Sequence, residues 1–219
     1  MRARLLVAIL IGLMALPAAA GPWLRAPGGG FVSATTGIED LPLGRTAFVE
    51  AYGEYGLTGR VVLGAHLRHA GGRVRADLLA RWHPVLPGSL ALGLTVGARL
   101  GGEDARRVAP LLAAHLGRGA DTRLGNIWAR ADVKAVASRS GFGGRAEVEL
   151  SGQLGLRTDW GGLAMLTLSE HRDRDGRTLK LTPALGYAVT ARSTLVLGAT
   201  LLPRSRRVDG AQLSVWFDF

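Results

Sequence analysis

The chain has 219 residues, a formal net charge of +10, 32 glycines and no cysteine. The absence of cysteine excludes a disulfide framework, and a glycine share of about twice the average argues against a mostly helical fold. A basic balance of this size favours anionic partners. Beyond the N-terminal segment no apolar run is long enough to cross a bilayer as a helix, so any membrane residence requires a closed β-barrel.

The first 20 residues have the layout of a secretory signal peptide. Arg2 and Arg4 form a positive head, residues 5–14 are apolar, and residues 17–20 are the small residues of a cleavage site. Ten apolar residues are too few for a membrane-spanning helix, which needs about 20. We therefore expect residues 1–20 to be removed and residues 21–219 to form a single domain. An exported basic domain favours anionic partners outside the cell, and nucleic acid is not expected.

The rest of the chain is a succession of runs in which apolar and polar residues alternate. Alternation with a period of two predicts β-strands with one apolar and one polar face. We predict twelve strands, with ten as the alternative number, each of about ten residues, which is the length that a tilted strand needs to cross a membrane. The predicted strands are 29–37, 46–57, 60–69, 74–84, 89–99, 107–117, 126–137, 145–157, 162–171, 178–189, 193–202 and 210–219.

The last of these strands alternates over its whole length. Leu213, Val215, Phe217 and Phe219 share one face, and the chain ends on an aromatic residue. This pattern resembles the closing strand of Gram-negative bacterial outer-membrane β-barrel proteins. The resemblance implies an all-β fold: a transmembrane, antiparallel, up-and-down barrel in the outer membrane. It also implies that these four residues are the signal read by the barrel-assembly machinery, and that the last strand pairs with the first.

Aromatic residues concentrate at one end of the predicted strands. If the N-terminus is periplasmic, this end is the inner rim, and the aromatic residues near it are Tyr55, Trp82, Trp128, Trp160 and Tyr187. Tryptophan and tyrosine favour the membrane interface because the ring is apolar while its N–H or O–H stays hydrated. The clustering therefore favours a membrane barrel over a soluble periplasmic barrel, which remains the alternative.

The polar faces of the strands predict the lining of the lumen. A membrane barrel turns these faces inward, which predicts a lumen with interleaved charges of both signs: Glu50, Glu54, Arg68, Arg75, Asp77, Arg81, Arg99, Arg130, Asp132, Lys134, Glu147 and Glu149. The lumen of a twelve-strand barrel is intermediate in width. It is wider than the lumen of an eight-strand barrel, which side chains fill, and narrower than that of a sixteen-strand barrel, which is an open aqueous channel.

Two functions are compatible with such a lumen. One is a narrow passive channel for small hydrophilic solutes, in which the arginines favour anions. The other is a structural or surface barrel closed by its own ion pairs, which binds lipopolysaccharide or a protein partner through arginine-rich outer loops such as 172–177 and 203–209.

A third hypothesis is a lipid-modifying enzyme, and its best candidate residues are Ser169, His171 and Asp173. A spacing of two places all three on one face of a strand. Successive members are then nearly 7 Å apart, which is too far for the direct hydrogen bonds of a catalytic triad. The sequence also has no nucleophile elbow and no pair of histidines at a metal-ligand spacing. We therefore predict no catalytic site, no metal and no cofactor, and we expect a monomer.

Overall fold

The computed structural model describes residues 24–41, 44–86, 90–101, 108–137, 146–173 and 176–219, and the predicted signal peptide lies outside these ranges. Within them the chain forms twelve strands and no helix that is long and apolar enough to cross a membrane. The strands are β1 (Gly30–Leu41), β2 (Gly44–Gly56), β3 (Val61–Ala70), β4 (Arg73–Trp82), β5 (Leu90–Gly101), β6 (Val108–Thr122), β7 (Gly125–Val136), β8 (Glu147–Arg157), β9 (Gly162–Arg172), β10 (Arg177–Ala188), β11 (Ser193–Leu202) and β12 (Arg207–Asp218).

The twelve described strands close into a barrel. Each strand pairs antiparallel with its neighbours in the sequence, and β12 pairs with β1. At this junction the Gly30 N–H donates to the Phe219 carbonyl oxygen at 2.7 Å, and the Phe219 N–H donates to the Gly30 carbonyl oxygen at 3.0 Å. Closure leaves no open sheet edge, which is the condition for strands to lie in a bilayer. The predicted up-and-down barrel of twelve strands is confirmed.

The alternation in the sequence sorts the side chains onto the two faces of the barrel. On β3, for example, Leu63 and Leu67 point outward and are 42% and 48% exposed, while Val62, His66 and Arg68 point inward. The same division gives an outer surface dominated by exposed leucine and valine. An apolar belt of this extent is unfavourable in water and is the surface that a transmembrane barrel presents to hydrocarbon.

Three strands extend three or more residues past a predicted end. β1 continues to Leu41 rather than ending at residue 37. β6 continues to Thr122 because Gly117 and Gly119 remain in the ladder, opposite Arg130 and Trp128 of β7. The segment around these two glycines has the composition of a turn, which is why the sequence prediction ended the strand there, but its backbone stays extended. β12 begins at Arg207 rather than at residue 210, and an irregularity in the pairing register of β11 lets these additional residues pair.

Glycine is required where an aromatic ring lies against the backbone of the neighbouring strand. A Cβ atom on Gly155 would lie 2.1 Å from Cζ2 of Trp128. The indole occupies this space on the inward face, where its Nε1–H donates to the Gln153 side-chain oxygen at 3.2 Å. Gly155 therefore makes room for a ring that fills part of the lumen wall between β7 and β8.

We expect Gly155→Ala to lower the free energy of unfolding by about 1–3 kcal/mol, because the added methyl group forces the Trp128 ring out of its position. Gly152→Ala on the same strand is the control. The nearest atom to a Cβ at Gly152 is 3.8 Å away, so we expect a change within about 0.5 kcal/mol. Urea unfolding of the refolded barrel in lipid vesicles measures both values, and equal effects would show that Trp128 does not require glycine at 155.

Candidate functional site: the lumen

The twelve charged residues predicted to line the lumen all lie on the inward face of the barrel, and they are confined to one part of its wall. They come from β2, β3, β4, β5, β7 and β8. We refer to the inward face of β2–β8 as the charged wall. The inward face of β9–β12 and β1 carries an apolar cluster around Leu163, Ala184 and Val196 near the chain termini, and hydroxyl and amide side chains over much of the rest. We refer to this face as the hydroxyl wall.

One ion-pair network lies in the half of the charged wall that is closer to the chain termini. Glu54, which is only 7% exposed, accepts hydrogen bonds from Arg81 Nη1 at 2.8 Å, from Arg25 Nε at 3.2 Å and from the Tyr52 hydroxyl. Arg81 Nε also donates to Thr95 Oγ1 at 3.3 Å. The buried carboxylate is therefore surrounded by donors, as a charge in a confined space requires.

The same network continues across β5, β6, β7 and β8. Thr95 Oγ1 lies 3.0 Å from His115 Nε2, and His115 Nδ1 lies 2.7 Å from Asp132 Oδ1. The second oxygen of Asp132 accepts hydrogen bonds from Arg130 Nε and from the Ser151 hydroxyl, the latter at 3.1 Å. Side chains from β2 to β8 are thus joined by continuous hydrogen bonding along the wall.

A buried imidazole adjoins this network just beyond the end of β4. His83 is 6% exposed, and a Cβ at Gly93 would lie 3.3 Å from its Cε1 atom. Burial, together with the positive charge of Arg81, lowers the pKa of His83. The uncharged form of this histidine is therefore favoured at the end of the wall near the chain termini.

A second network lies nearer the opposite end of the barrel. Asp77, which is 2% exposed, accepts two hydrogen bonds from Arg99, from Nε at 2.7 Å and from Nη2 at 2.9 Å. Arg99 Nη1 donates to Glu147 Oε1 at 2.6 Å. This last pair reaches from β5 to β8, so it bridges the inward faces of β6 and β7.

Apolar packing and a further pair complete this end of the charged wall. Leu111 and Val136, on the two strands bridged by Arg99, are buried in a small apolar cluster. On β3, Arg68 donates to Glu50 Oε2 at 2.8 Å and to Glu39. Its guanidinium also lies over the Phe48 ring, 4.2 Å from the centroid.

Arg75 differs from the other predicted lumen arginines. Its Nε is buried without a hydrogen-bond partner, and in the described part of the chain its guanidinium forms no ion pair. It lies directly opposite Arg68 in the pairing of β3 with β4. Arg75 is therefore a positive charge on the lumen wall that has no direct counterion among the residues that the structure describes.

The hydroxyl wall is neutral over most of its height. Thr35 and Ser214 are joined by a hydrogen bond of 2.8 Å, and Thr182 and Thr200 by one of 3.3 Å. Thr182, Thr200 and Gln212 keep part of their surface accessible. Towards the loop end the wall carries a Lys180–Asp209 pair at 2.7 Å. A water-accessible neutral surface thus faces the packed charged wall.

The candidate catalytic residues are not assembled into a triad. His171 Nε2 lies 3.3 Å from Asp173 Oδ2 and 3.8 Å from Glu147 Oε1. Within the described ranges no hydrogen bond joins Ser169 to His171, and no cluster of three or more potential metal ligands occurs there. His171 therefore contacts carboxylates at the loop end of the strand without forming a triad with Ser169.

Four of the five predicted interface aromatics lie on the outer surface near the end that carries the termini. They are Tyr55, Trp82, Trp160 and Tyr187, with exposures between 45% and 71%. The rings of Trp160 and Tyr187 are 6.3 Å apart. Trp128 lies instead on the inward face, so the structure does not place it in an outer girdle.

Several lumen charges were absent from the predicted list of twelve, among them Arg25, Asp209 and Glu39. Arg25 precedes the first strand, and its Nη1 donates to Asp218 at 2.9 Å across the β1–β12 closure. Asp209 falls in a segment predicted to be a loop, although it belongs to β12. Glu39 lies beyond the predicted end of the first strand. Extending the alternation by a few residues at each strand end identifies Glu39 and Asp209, whereas no local pattern identifies Arg25.

A closed antiparallel barrel with an apolar outer surface and a polar, charged lumen defines a class, the transmembrane β-barrels. The chain has the fold of bacterial outer-membrane β-barrel proteins. Similar solved structures include a KdgM porin, with a TM-score of 0.66, 8% identity and coverage of 86% of this chain and 99% of that chain. A NanC porin has a TM-score of 0.63, 9% identity and coverages of 86% and 98%.

A third similar structure is an outer-membrane channel from Pseudomonas putida F1, with a TM-score of 0.51, 14% identity and coverage of 92% of this chain and 100% of that chain. At these identities the similarity shows the fold. No protein-family model and no curated protein matches the chain.

Proposed function

We propose that the protein is a passive channel of the bacterial outer membrane, with both termini on the periplasmic side, and that small hydrophilic solutes cross it with a preference for anions. The observation that carries this proposal is the division of the lumen into two walls. The charged wall is compacted by its own ion pairs, whereas the hydroxyl wall, beyond its apolar cluster, is neutral and keeps partly accessible hydroxyl and amide groups. Solutes would move along the hydroxyl wall.

The long ion pair of the lumen supports an open passage. Arg99 and Glu147 lie three strands apart, whereas the strand diametrically opposite in a twelve-strand barrel is six strands away. The pair therefore crosses one side of the lumen and does not reach β10–β12. Arginine and glutamate that neutralise each other along one wall contribute little net charge to a solute on the other side.

Arg75 supports the preference for anions. Its charge has no direct counterion among the described residues, and Arg68 is its immediate neighbour across the strands. Two adjacent guanidinium groups, of which one is unpaired, raise the local concentration of small anions in a narrow lumen.

A closed barrel is the second candidate, and the burial of Glu54, Arg81, Asp77 and Arg99 favours it. Side chains this well covered show that part of the lumen cross-section is filled. Such a barrel would act as a surface protein that binds lipopolysaccharide or a protein partner.

Ion conductance of the refolded protein in a planar lipid bilayer separates these two functions. We expect discrete current steps with a reversal potential that indicates preference for chloride over potassium. Oligogalacturonate is a suitable larger anion to add, because a KdgM porin has been solved in complex with it. A protein with verified barrel structure that carries no current would contradict the channel and support the closed barrel.

We expect Arg75→Gln to reduce the chloride preference roughly twofold, because the unpaired charge is removed from the lumen wall. Arg75→Lys retains the charge at the same place and is the control, with selectivity close to the original. Reversal potentials in a potassium chloride gradient measure both. An unchanged selectivity in Arg75→Gln would assign the preference to other charges.

The apolar face of the closing strand supports a role in biogenesis. Leu213, Val215, Phe217 and Phe219 point outward and are between 38% and 51% exposed. We take this row as the signal that the barrel-assembly machinery binds before β12 pairs with β1.

A further inference from the structure

We propose that the outer face of β8–β12 binds a phosphorylated, multi-acyl lipid of the outer leaflet, with an acyl chain in a groove on this face and a phosphate on Arg172 and Arg177. The proposal rests on the membrane orientation given under the proposed function, because it requires the loop end of the barrel to be the outer end. It does not require the lumen to conduct.

The groove lies on the outward face of five consecutive strands. Its volume is about 830 Å³, and its lining is almost entirely apolar. Small or compact residues at Ala164, Pro183 and Ala199 alternate in its lining with exposed leucines, of which Leu154, Leu185 and Leu197 are 60%, 70% and 63% exposed. The lining therefore has hollows at the small residues between protruding leucine side chains. A hollow of this shape accepts a flexible hydrocarbon chain.

A cationic cluster lies at the loop end of the same strands. Glu170 and Arg172 are at the end of β9, and Arg177 begins β10. The two oxygens of the Glu170 carboxylate each accept a hydrogen bond from one arginine, which holds the two guanidinium groups side by side. The arginine side chains are 53% and 46% exposed. The cluster has a net positive charge, and both guanidinium groups keep further N–H groups for a phosphate.

The distance from the arginine cluster to the groove is close to the length of an acyl chain in one leaflet. Six residues separate Leu166 in the groove from Arg172 on β9, which corresponds to about 20 Å along the strand. With a strand tilt of about 40°, the groove lies about 15 Å below the arginines. One leaflet contributes half of a hydrocarbon core that is about 30 Å thick. A lipid with its phosphate on the arginines would therefore place the ends of its acyl chains at the upper edge of the groove.

A second cluster of the same composition lies on the other side of this face. Asp40 of β1 accepts hydrogen bonds from Arg45 at 3.2 Å and from Arg207 of β12. Both arginine side chains are 62% exposed. The second cluster is three to four strands from the first, or about 15–20 Å. Two cationic clusters at the leaflet boundary, with an apolar groove below and between them, fit a lipid that carries more than one phosphate and several acyl chains.

This combination favours a lipid over a second copy of the chain. A contact between two barrels would bury apolar surface against apolar surface and would not need arginines at one end only. A zwitterionic lipid has no net negative charge to satisfy the clusters. The positive charge of the arginine clusters and their distance from the groove both favour an anionic lipid.

The test uses the refolded protein in detergent micelles and three probes, which are purified lipopolysaccharide, the same material after dephosphorylation, and phosphatidylcholine. Native mass spectrometry measures the bound lipid and its dissociation constant. We expect binding of intact lipopolysaccharide only. The double variant Arg172→Gln/Arg177→Gln should weaken it at least tenfold, and Ala199→Phe, which fills the groove, should weaken it to a similar degree.

The control variant is Arg60→Gln/Arg192→Gln, which removes the same charge from turns at the opposite end of the barrel. We expect this control variant to bind lipopolysaccharide as the unmodified protein does. If it weakened binding as much as Arg172→Gln/Arg177→Gln, the binding would depend on non-specific charge, and the proposed phosphate site would be wrong. Undiminished binding in Ala199→Phe would overturn the acyl groove. None of these side chains points into the lumen, so conductance is expected to stay unchanged in every variant. Loss of lipid binding and failure of the channel are therefore separate results.

Discussion

Replacing Asp77 by asparagine is expected to lower the free energy of unfolding by about 3–5 kcal/mol, because it leaves the buried Arg99 guanidinium without its two-point partner. Asp77 and Arg99 are 2% and 5% exposed, so water cannot take the place of the lost carboxylate. Glu147 remains 2.6 Å from Arg99 and limits the loss. Urea unfolding in lipid vesicles, with circular dichroism as the signal, measures the difference.

Glu149→Gln is the matched control for this prediction. Glu149 pairs with Lys134 at 2.6 Å on the same wall, but the two side chains are 36% and 26% exposed. Because water reaches this pair, we expect a loss of at most about 1 kcal/mol. Equal losses in Asp77→Asn and Glu149→Gln would show that burial does not distinguish the two pairs, and that the second network does not stabilise the barrel.

Replacing Thr182 by tryptophan is expected to reduce single-channel conductance roughly twofold or more. Thr182 lies on the hydroxyl wall, half-way along β10, and its side chain faces the proposed path of solutes. An indole at this position occupies part of a lumen that is already narrowed by the charged wall. The measurement is the amplitude of current steps in a planar bilayer at fixed salt and voltage.

The matched control places the same residue on the other face of the same strand. Leu181 is the neighbour of Thr182 and points towards the lipid, so Leu181→Trp should leave the conductance unchanged. If Thr182→Trp also had no effect, solutes would have to pass elsewhere in the lumen, and the proposed path along β9–β12 and β1 would be wrong.

The fold could be predicted from the sequence because the signal for it is local. A period of two assigns each residue to a face and depends only on neighbours in the chain. Val148 and Leu150 alternate with Glu147 and Glu149 in the sequence as they do on the two faces of β8. The inward position of the twelve charged residues follows from the same rule. Strand ends were less predictable, since glycines such as Gly117 and Gly119 occur in turns and in strands alike.

The partners of these charges were decided by the tertiary structure alone. Arg99 and Glu147 are 48 residues apart in the chain, and Arg25 and Asp218 are 193 apart. Their contacts depend on the register of every intervening strand and on barrel closure, neither of which is encoded by alternation. The sequence by itself predicted a barrel of twelve or ten strands and the composition of its two faces, and the structure decided for twelve. The barrel geometry decided which charges neutralise each other, that Arg75 lacks a direct counterion among the described residues, and that a lipid-sized groove lies below an arginine cluster.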